Sequence, residues 1–352
     1  MSSRQLAVTL AVASAFSSFP SPFYHALAGR LGGASGITAV LFASHGAAAI
    51  VVMSILSLDP VARRLARVQP RSLITILLCA DAVAGLFLVF AAGPLEFGLL
   101  LTGRILTGAA LGALTPLITA GLAGRRHGSA LATAGILGGV GLGSLCAGGL
   151  AASGLGRPLV FAVGCAALLA VAIVGSRGRP ESGSASAGSA LAADGVRAGL
   201  GLALGTSALA FAANGVLGLF TSVLPSVVAR DSGRSATFIA GATVGIVLLS
   251  AGGARLLLLA RETLPTRVPA VVSLALGIVC FWWGVAVGSV WLSLLGGLLL
   301  GAAAGIGYDT AIGLVSSHAT GGARVRALAI VQRSGQFGLV LPVLLYPLAI
   351  RH

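Results

Sequence analysis

Lysine is absent from the 352 residues, and only 8 of them are acidic. Charged side chains make up 9% of the chain, against about 25% in soluble domains, so a water-facing surface cannot be built and a soluble globular domain is excluded. Cysteine is scarce too. Cys79, Cys146, Cys165 and Cys280 each lie inside an apolar run without CxxC or metal-ligand spacing, which reads as four small buried apolar residues and not as disulfides or a metal centre. No Walker loop, no HExxH and no Ser or Cys grouped with a His and a carboxylate occurs, so we expect neither an enzyme nor an ATP-driven pump, and no cofactor or metal. The GxGxxG-like string at Gly139 lies in the middle of an apolar run with no strand before it, and is set aside.

What is abundant points one way. Hydrophobic residues make up 57% of the chain and mean hydropathy is +1.04, which excludes disorder. The 52 glycines follow no G-X-Y period, which excludes collagen. The net charge of +14 comes from 22 arginines set in short clusters between apolar segments, a pattern that orients membrane helices and does not form a nucleic-acid footprint. At roughly 20 apolar residues per crossing, the chain accommodates about ten to twelve helices.

Apolar runs bounded by Arg, Pro and Gly predict eleven spans, roughly 6–27, 36–57, 72–92, 96–122, 129–153, 158–175, 198–227, 235–258, 268–287, 290–316 and 326–349. The first run continues as a full span, so no cleavable signal peptide is expected. Fifteen arginines fall on the side of the N-terminus and five on the other, which predicts a multi-pass cell-membrane protein with a cytoplasmic N-terminus. The Ser/Gly/Ala-rich stretch 177–196 divides the chain into an N-terminal six-helix bundle (1–176) and a C-terminal five-helix bundle (197–352).

The halves are related. Thr107-GAALGALTPLITAGL aligns with Leu300-GAAAGIGYDTAIGLV, placing Gly108 on Gly301 and Gly112 on Gly305. A little further on, Ala130-LATAGILGGVG aligns with Ala327-LAIVQRSGQFG, placing Gly138 on Gly335 and Gly141 on Gly338. Internal duplication is a mark of transporter folds. The same offset carries the sixth span to about residue 355, so the expected design is six plus six with the last helix missing.

Six helices, a polar linker and a second related set resemble the major facilitator superfamily. Gly103-Arg104-ILTG-AALG112 resembles that family's motif in its fourth helix, an Arg followed at four-residue steps by Gly108 and Gly112. Gly139-VGLG143-SLCAG resembles the glycine-rich antiporter motif, with Ser144 where that motif has proline. Leu58-DPVARRLARVQPR is similar to the signature loop, keeping Asp59, Arg63 and Arg64 but not its leading glycine or spacing. The resemblance implies an all-α polytopic membrane protein with a two-bundle fold of 6+5 transmembrane helices. It also implies a secondary transporter in which Arg104 takes part in proton coupling.

Charge inside a span is costly and therefore informative. Of the acidic residues only Asp81 and Asp309 lie well within spans, and Arg104 and Arg333 are the intramembrane arginines. Counting 1.5 Å per residue puts Asp81 and Arg104 at similar depth, roughly 16 and 12 Å below the outer ends of the third and fourth spans. Asp309 and Arg333 both lie roughly 10 Å above the inner ends of theirs. Each pair is expected to meet, either as a proton site tuned by an arginine or as structural glue. Tyr24, His25, His45, Asn214, Tyr308, Gln332 and Gln336 are the candidates for a solute path, although an isolated membrane His is more often a packing residue. Four-residue glycine spacing at Gly108/Gly112, Gly139/Gly143 and Gly301/Gly305 predicts close helix contacts, static or sliding. Asp59 with Arg63 and Arg64 reads as a charge latch or as a solvated basic loop. Phe281, Trp282, Trp283 and Trp291 read as an interfacial belt, and Pro20, Pro22 and Pro116 as helix breaks or bends.

The function expected is alternating-access transport of a small, amphipathic organic solute by a monomer in the lipid bilayer, as proton-coupled efflux. Proton-driven uptake is the alternative, and a non-transporting sensor or degenerate transporter is the reading from another class. No nucleic-acid partner is expected.

Overall fold

The computed structural model describes residues 1–24, 26–27, 35–58, 61, 68–177, 200–228, 236–259, 267–319 and 321–349. Its helices are α1 (Ser3–Ser18), α2 (Ser35–Leu56), α3 (Pro70–Val89), α4 (Glu96–Ala123), α5 (Gly128–Ala152), α6 (Arg157–Arg177), α7 (Leu200–Val228), α8 (Ala236–Leu259), α9 (Arg267–Ala286), α10 (Val290–His318) and α11 (Gly321–Ala349). Among the described residues nine segments are long and apolar enough to cross a membrane, and α7 and α9 contribute shorter apolar stretches. The 6+5 expectation is therefore met approximately.

Local chemistry sets the ends. Ser2 and Gln5 form a reciprocal capping box at the start of α1, the Ser2 hydroxyl accepting from the Gln5 amide and the Gln5 side chain accepting from the Ser2 amide. Pro70 opens α3, where a missing N–H costs nothing. Pro20 and Pro22 stop α1, which ends in a short 3-10 turn over Ser21–Phe23. Pro116, in contrast, stays within a continuous α4. Trp282, Trp283 and Trp291 are 66%, 63% and 83% exposed, as an outward aromatic belt requires.

The packing repeats between the halves. In the first, α2 and α4, α3 and α4, and α1 and α5 lie together; in the second, α8 and α10, α9 and α10, and α7 and α11 do the same. The bundles meet along α5 with α8 and along α11 with α2, two contacts that exchange under the same pseudo-dyad. The chain enters α1, leaves α6 and enters α7 on one face, the linker side; the opposite face is the far side.

Glycines set the closest approaches. Gly108 and Gly112 press against His45 and Ala49 of α2, and Gly301 and Gly305 press against Val247 and Ala251 of α8. The first stretch of the repeat thus performs one job twice. The second does not. Gly138 and Gly141 face α8 in the other bundle, whereas Gly335 and Gly338 face Asn214 and Phe211 of α7 in their own. The glycines that meet α1 are Gly135, Gly139 and Gly143, against Ala7, Ala11 and Ala15. Low-complexity Gly/Ala sequence aligned the wrong faces of the helix.

A methyl at position 305 would collide with the Ala251 carbonyl, part of the backbone of α8. Gly305→Ala is expected to destabilise the detergent-solubilised protein by about 1–3 kcal/mol in thermal or denaturant unfolding. Gly253→Ala, whose added methyl meets nothing within 4 Å, is expected to leave stability unchanged or slightly raised.

Candidate functional site

In the N-terminal bundle the end of α1 dictates where the charge goes. A helix leaves its last carbonyls without intrahelical donors, and prolines at 20 and 22 prevent the chain from supplying them. The Ser18 carbonyl accepts from the Ser21 hydroxyl at 2.6 Å. The Ser17 carbonyl accepts from Arg104 Nη1 at 2.6 Å, while Arg104 Nε donates to the Leu41 carbonyl of α2 at 3.2 Å. The buried guanidinium thus sits at the negative end of a helix dipole, where a cation is favoured. This differs from the expected meeting with Asp81. Asp81, 1% exposed on α3, feels the Arg104 charge but forms no ion pair with it, and its Oδ1 has no hydrogen-bond partner. Two backbone carbonyls, invisible to a search for opposite charges, compete successfully for the arginine.

His45 lies beside this arginine, its Nδ1 sharing a 3.4 Å hydrogen bond with the Thr107 hydroxyl. The hydroxyl of Tyr24, just past the end of α1, is buried and unpartnered. His25, Asp59, Arg63 and Arg64 lie outside the described residues.

In the C-terminal bundle the glycine ladder fixes the partners. α8 and α10 run parallel, so the contacts Gly301–Val247 and Gly305–Ala251 advance one turn on each helix at a time. One further turn brings Asp309 to Arg255, and their Oδ2 and Nε atoms form an ion pair at 2.7 Å. The expected Asp309–Arg333 pair is therefore corrected. Arg333 instead donates to the Ser54 hydroxyl of α2 at 3.3 Å. Arg255, counted from sequence as an arginine at a cytoplasmic helix end, lies within α8. The predicted span 235–258 already contained it.

Several of these groups join the bundles near the linker side. Besides Arg333–Ser54, Gln332 of α11 donates to the Thr119 hydroxyl of α4 at 3.0 Å, and the Ser129 hydroxyl of α5 faces the Asp309 carboxylate. Deeper in the bilayer Gly46 of α2 lies against Val340, with Gln336 Oε1 3.7 Å from where its Cβ would be. On the other interface Gly148 and Gly241 approach each other. Asn214 and Tyr308 converge on Gly335, and the Asn214 amide donates to the Ala210 carbonyl of its own helix at 3.0 Å. Ser54, Thr119, Ser129 and Arg255 were not anticipated from sequence. Ser and Thr are too common in this chain to stand out.

This arrangement is that of a two-bundle membrane transporter fold. No family model matches the chain, and no curated protein sequence matches it. Solved structures do. The proton:xylose symporter XylE bound to 6-bromo-6-deoxy-D-glucose superposes with a TM-score of 0.69 at 15% identity, over 99% of this chain and 88% of that one. A second D-xylose-proton symporter structure gives 0.68 at 17% identity, over 98% and 89%. A bacterial homologue of the human lysosomal transporter Spinster, inward-facing and unoccupied, gives 0.60 at 16%, over 98% and 80%. The chain has the major facilitator superfamily fold.

A Cβ built on Gly313 would lie 3.9 Å from that of Ser129, within the span of a disulfide. Ser129→Cys with Gly313→Cys, in a background lacking the four native cysteines, is expected to oxidise to an intramolecular bond joining α5 to α10, identified by peptide mass spectrometry. Failure of this pair to crosslink under mild oxidant would contradict the closed linker side.

Proposed function

We propose that the protein is a proton-coupled secondary transporter of a small organic solute, working by alternating access with its linker side in the cytoplasm and exporting the solute against proton entry. The observation that carries this reading is the position of Asp309. Its carboxylate is held by Arg255 in its own bundle and faced by Ser129 from the other, so separation of the bundles on the linker side changes its surroundings. A carboxylate whose environment depends on which face is open is the element proton coupling requires. Asp81 serves as a second site. Its Oδ1 has no hydrogen-bond partner in this conformation, and a shift of α1 that frees Arg104 would give it a counter-ion.

The polar side chains between the helices support an amphipathic solute over a sugar. His45 and Asn214 each already have a protein partner, and the Gln332 Oε1 and Tyr24 hydroxyl that remain unpartnered are too few for an array of hydroxyls. Export is supported by the antiporter-like glycines of α5. Uptake is the second reading, favoured by the similarity to structures described as proton symporters. In either case the protein acts as a monomer in the lipid bilayer, with the solute and protons as its partners.

Flux of a panel of amphipathic solutes into or out of proteoliposomes under an imposed pH gradient tests this. Gradient-driven flux is expected for the unaltered protein, and Asp81→Asn and Asp309→Asn are each expected to uncouple it from the gradient. Solute moving against the proton gradient establishes export, and movement with it establishes uptake. Absence of flux for every solute, with an intact fold, would favour a non-transporting sensor.

A further inference from the structure

We propose that Pro22 is a positioning residue for the Asp81 site: its ring, resting on α8 of the other bundle, fixes the end of α1 and, through it, the guanidinium that Asp81 lacks. This inference rests on the transport reading above and names the part that carries bundle movement to Asp81.

Pro20 and Pro22 end α1 in the 3-10 turn Ser21–Phe23, and that turn lies where three helices meet. Side chains tie it to its own bundle. The Ser21 hydroxyl shares a 3.0 Å hydrogen bond with the Ser144 hydroxyl of α5, and the Phe23 ring meets Phe161 of α6 edge-on with 5.6 Å between centroids. Across the bundle boundary the turn packs on α8, where Pro22 Cγ lies 3.2 Å from the place a Cβ on Gly241 would take. Gly241 is enclosed from a second direction, since the Ser144 carbonyl oxygen and the Gly148 Cα of α5 lie 2.6 and 3.2 Å from that same place. The turn and α5 therefore share one seat on α8, and separation of the bundles on the far side withdraws Gly241 from both.

The end of α1 that this seat supports also holds an arginine. Just before the turn, the Ser17 carbonyl accepts from Arg104 Nη1, while the Leu41 carbonyl of α2 accepts from Nε. Asp81 of α3 faces Arg104 of α4 and Cys165 of α6, with Tyr24, just past the turn, also beside the guanidinium. With Pro22 seated, the Ser17 carbonyl keeps Nη1 and the Asp81 Oδ1 stays without a partner. With Gly241 withdrawn, the Ser21 and Phe23 contacts alone place the turn, α1 settles toward them, and Nη1 is released. A carboxylate is a stronger acceptor for a guanidinium than a carbonyl, so Asp81 takes it.

The test is a double-mutant cycle between Pro22→Ala and Asp81→Asn, read first by thermal unfolding of the purified protein, which needs no solute. Asp81→Asn is expected to lower the unfolding temperature by about 2–4 °C more in the Pro22→Ala background than in the unaltered protein, because there it breaks an ion pair. Pro94→Ala, an exposed proline in the far-side 3-10 turn Gly93–Leu95, is the control and is expected to show no such coupling. In proteoliposomes, Pro22→Ala is expected to move the pH profile of gradient-driven flux toward more acidic values by about one unit. Pro22→Val, which keeps bulk against Gly241, is expected to restore the profile. Additive effects of the two substitutions on unfolding, or a pH profile unmoved by Pro22→Ala, would overturn the assignment of Pro22. Coupling in unfolding without flux of any solute would keep Pro22 in this role and reject the transport reading.

Discussion

Contact between helix backbones at glycine is the interaction on which the rest of this structure depends. Inside a bilayer, hiding one apolar side chain against another gains little over leaving it in lipid, so helices associate through close packing and through polar groups that find partners. Gly305 against Ala251 is the clearest case. It brings two parallel helices close enough, and in the right register, for Asp309 to meet Arg255 one turn further along. With a larger residue at 305 the axes move apart, the ion pair stretches, and a buried carboxylate loses its partner. Packing here decides electrostatics.

The second constraint is that each intramembrane cation must be satisfied by the protein. Arg104 is satisfied by two carbonyl oxygens, that of Ser17 at the end of α1 and that of Leu41 within α2. On the far side Arg157 takes both the Glu96 carboxylate and the Ala91 carbonyl, tying the start of α6 to α4 and to the end of α3. Arginine presents five donors in a fixed planar fork, is weakly hydrated and stays charged when buried, whereas lysine is a compact, strongly hydrated point charge that loses its proton readily when buried. The chain's exclusive use of arginine fits that demand.

Much of this was legible in the sequence. The eleven apolar runs became helices with ends shifted by a few residues, and the spacing of Gly108 with Gly112 and of Gly301 with Gly305 marked true close contacts. These are properties of one helix, and periodicity along one helix is what sequence displays. Partnership between helices was much less legible. Asp81 and Arg104 were matched by depth, but depth carries no information about backbone acceptors. Asp309 was matched to Arg333 because both lay deep inside predicted spans, while Arg255, near the end of its span, was counted among the arginines on or near the cytoplasmic side. The second stretch of the repeat was misregistered because glycine recurs on more than one face of α5, Gly138 and Gly141 toward α8 and Gly135, Gly139 and Gly143 toward α1, so an alignment of small residues does not distinguish the faces.

The two halves handle their buried acids differently, and that asymmetry bears on how such a fold can couple two events. Asp81 lies wholly within one bundle, where the neighbouring Arg104 is held by α1 and α2; only a rearrangement inside that bundle can alter it. Asp309 lies where the bundles meet, and a movement of one against the other reaches it directly through Ser129. A pseudo-dyad that copies the helices need not copy the chemistry: the step that carries Gly305 to Asp309 carries Gly112 to Pro116, a residue with no charge to place. Duplication supplied two similar frames, and the few ionisable residues occupy different places in them. In the proposed cycle, movement of the bundles would therefore reach Asp309 directly through Ser129, and Asp81 only through a rearrangement at the end of α1.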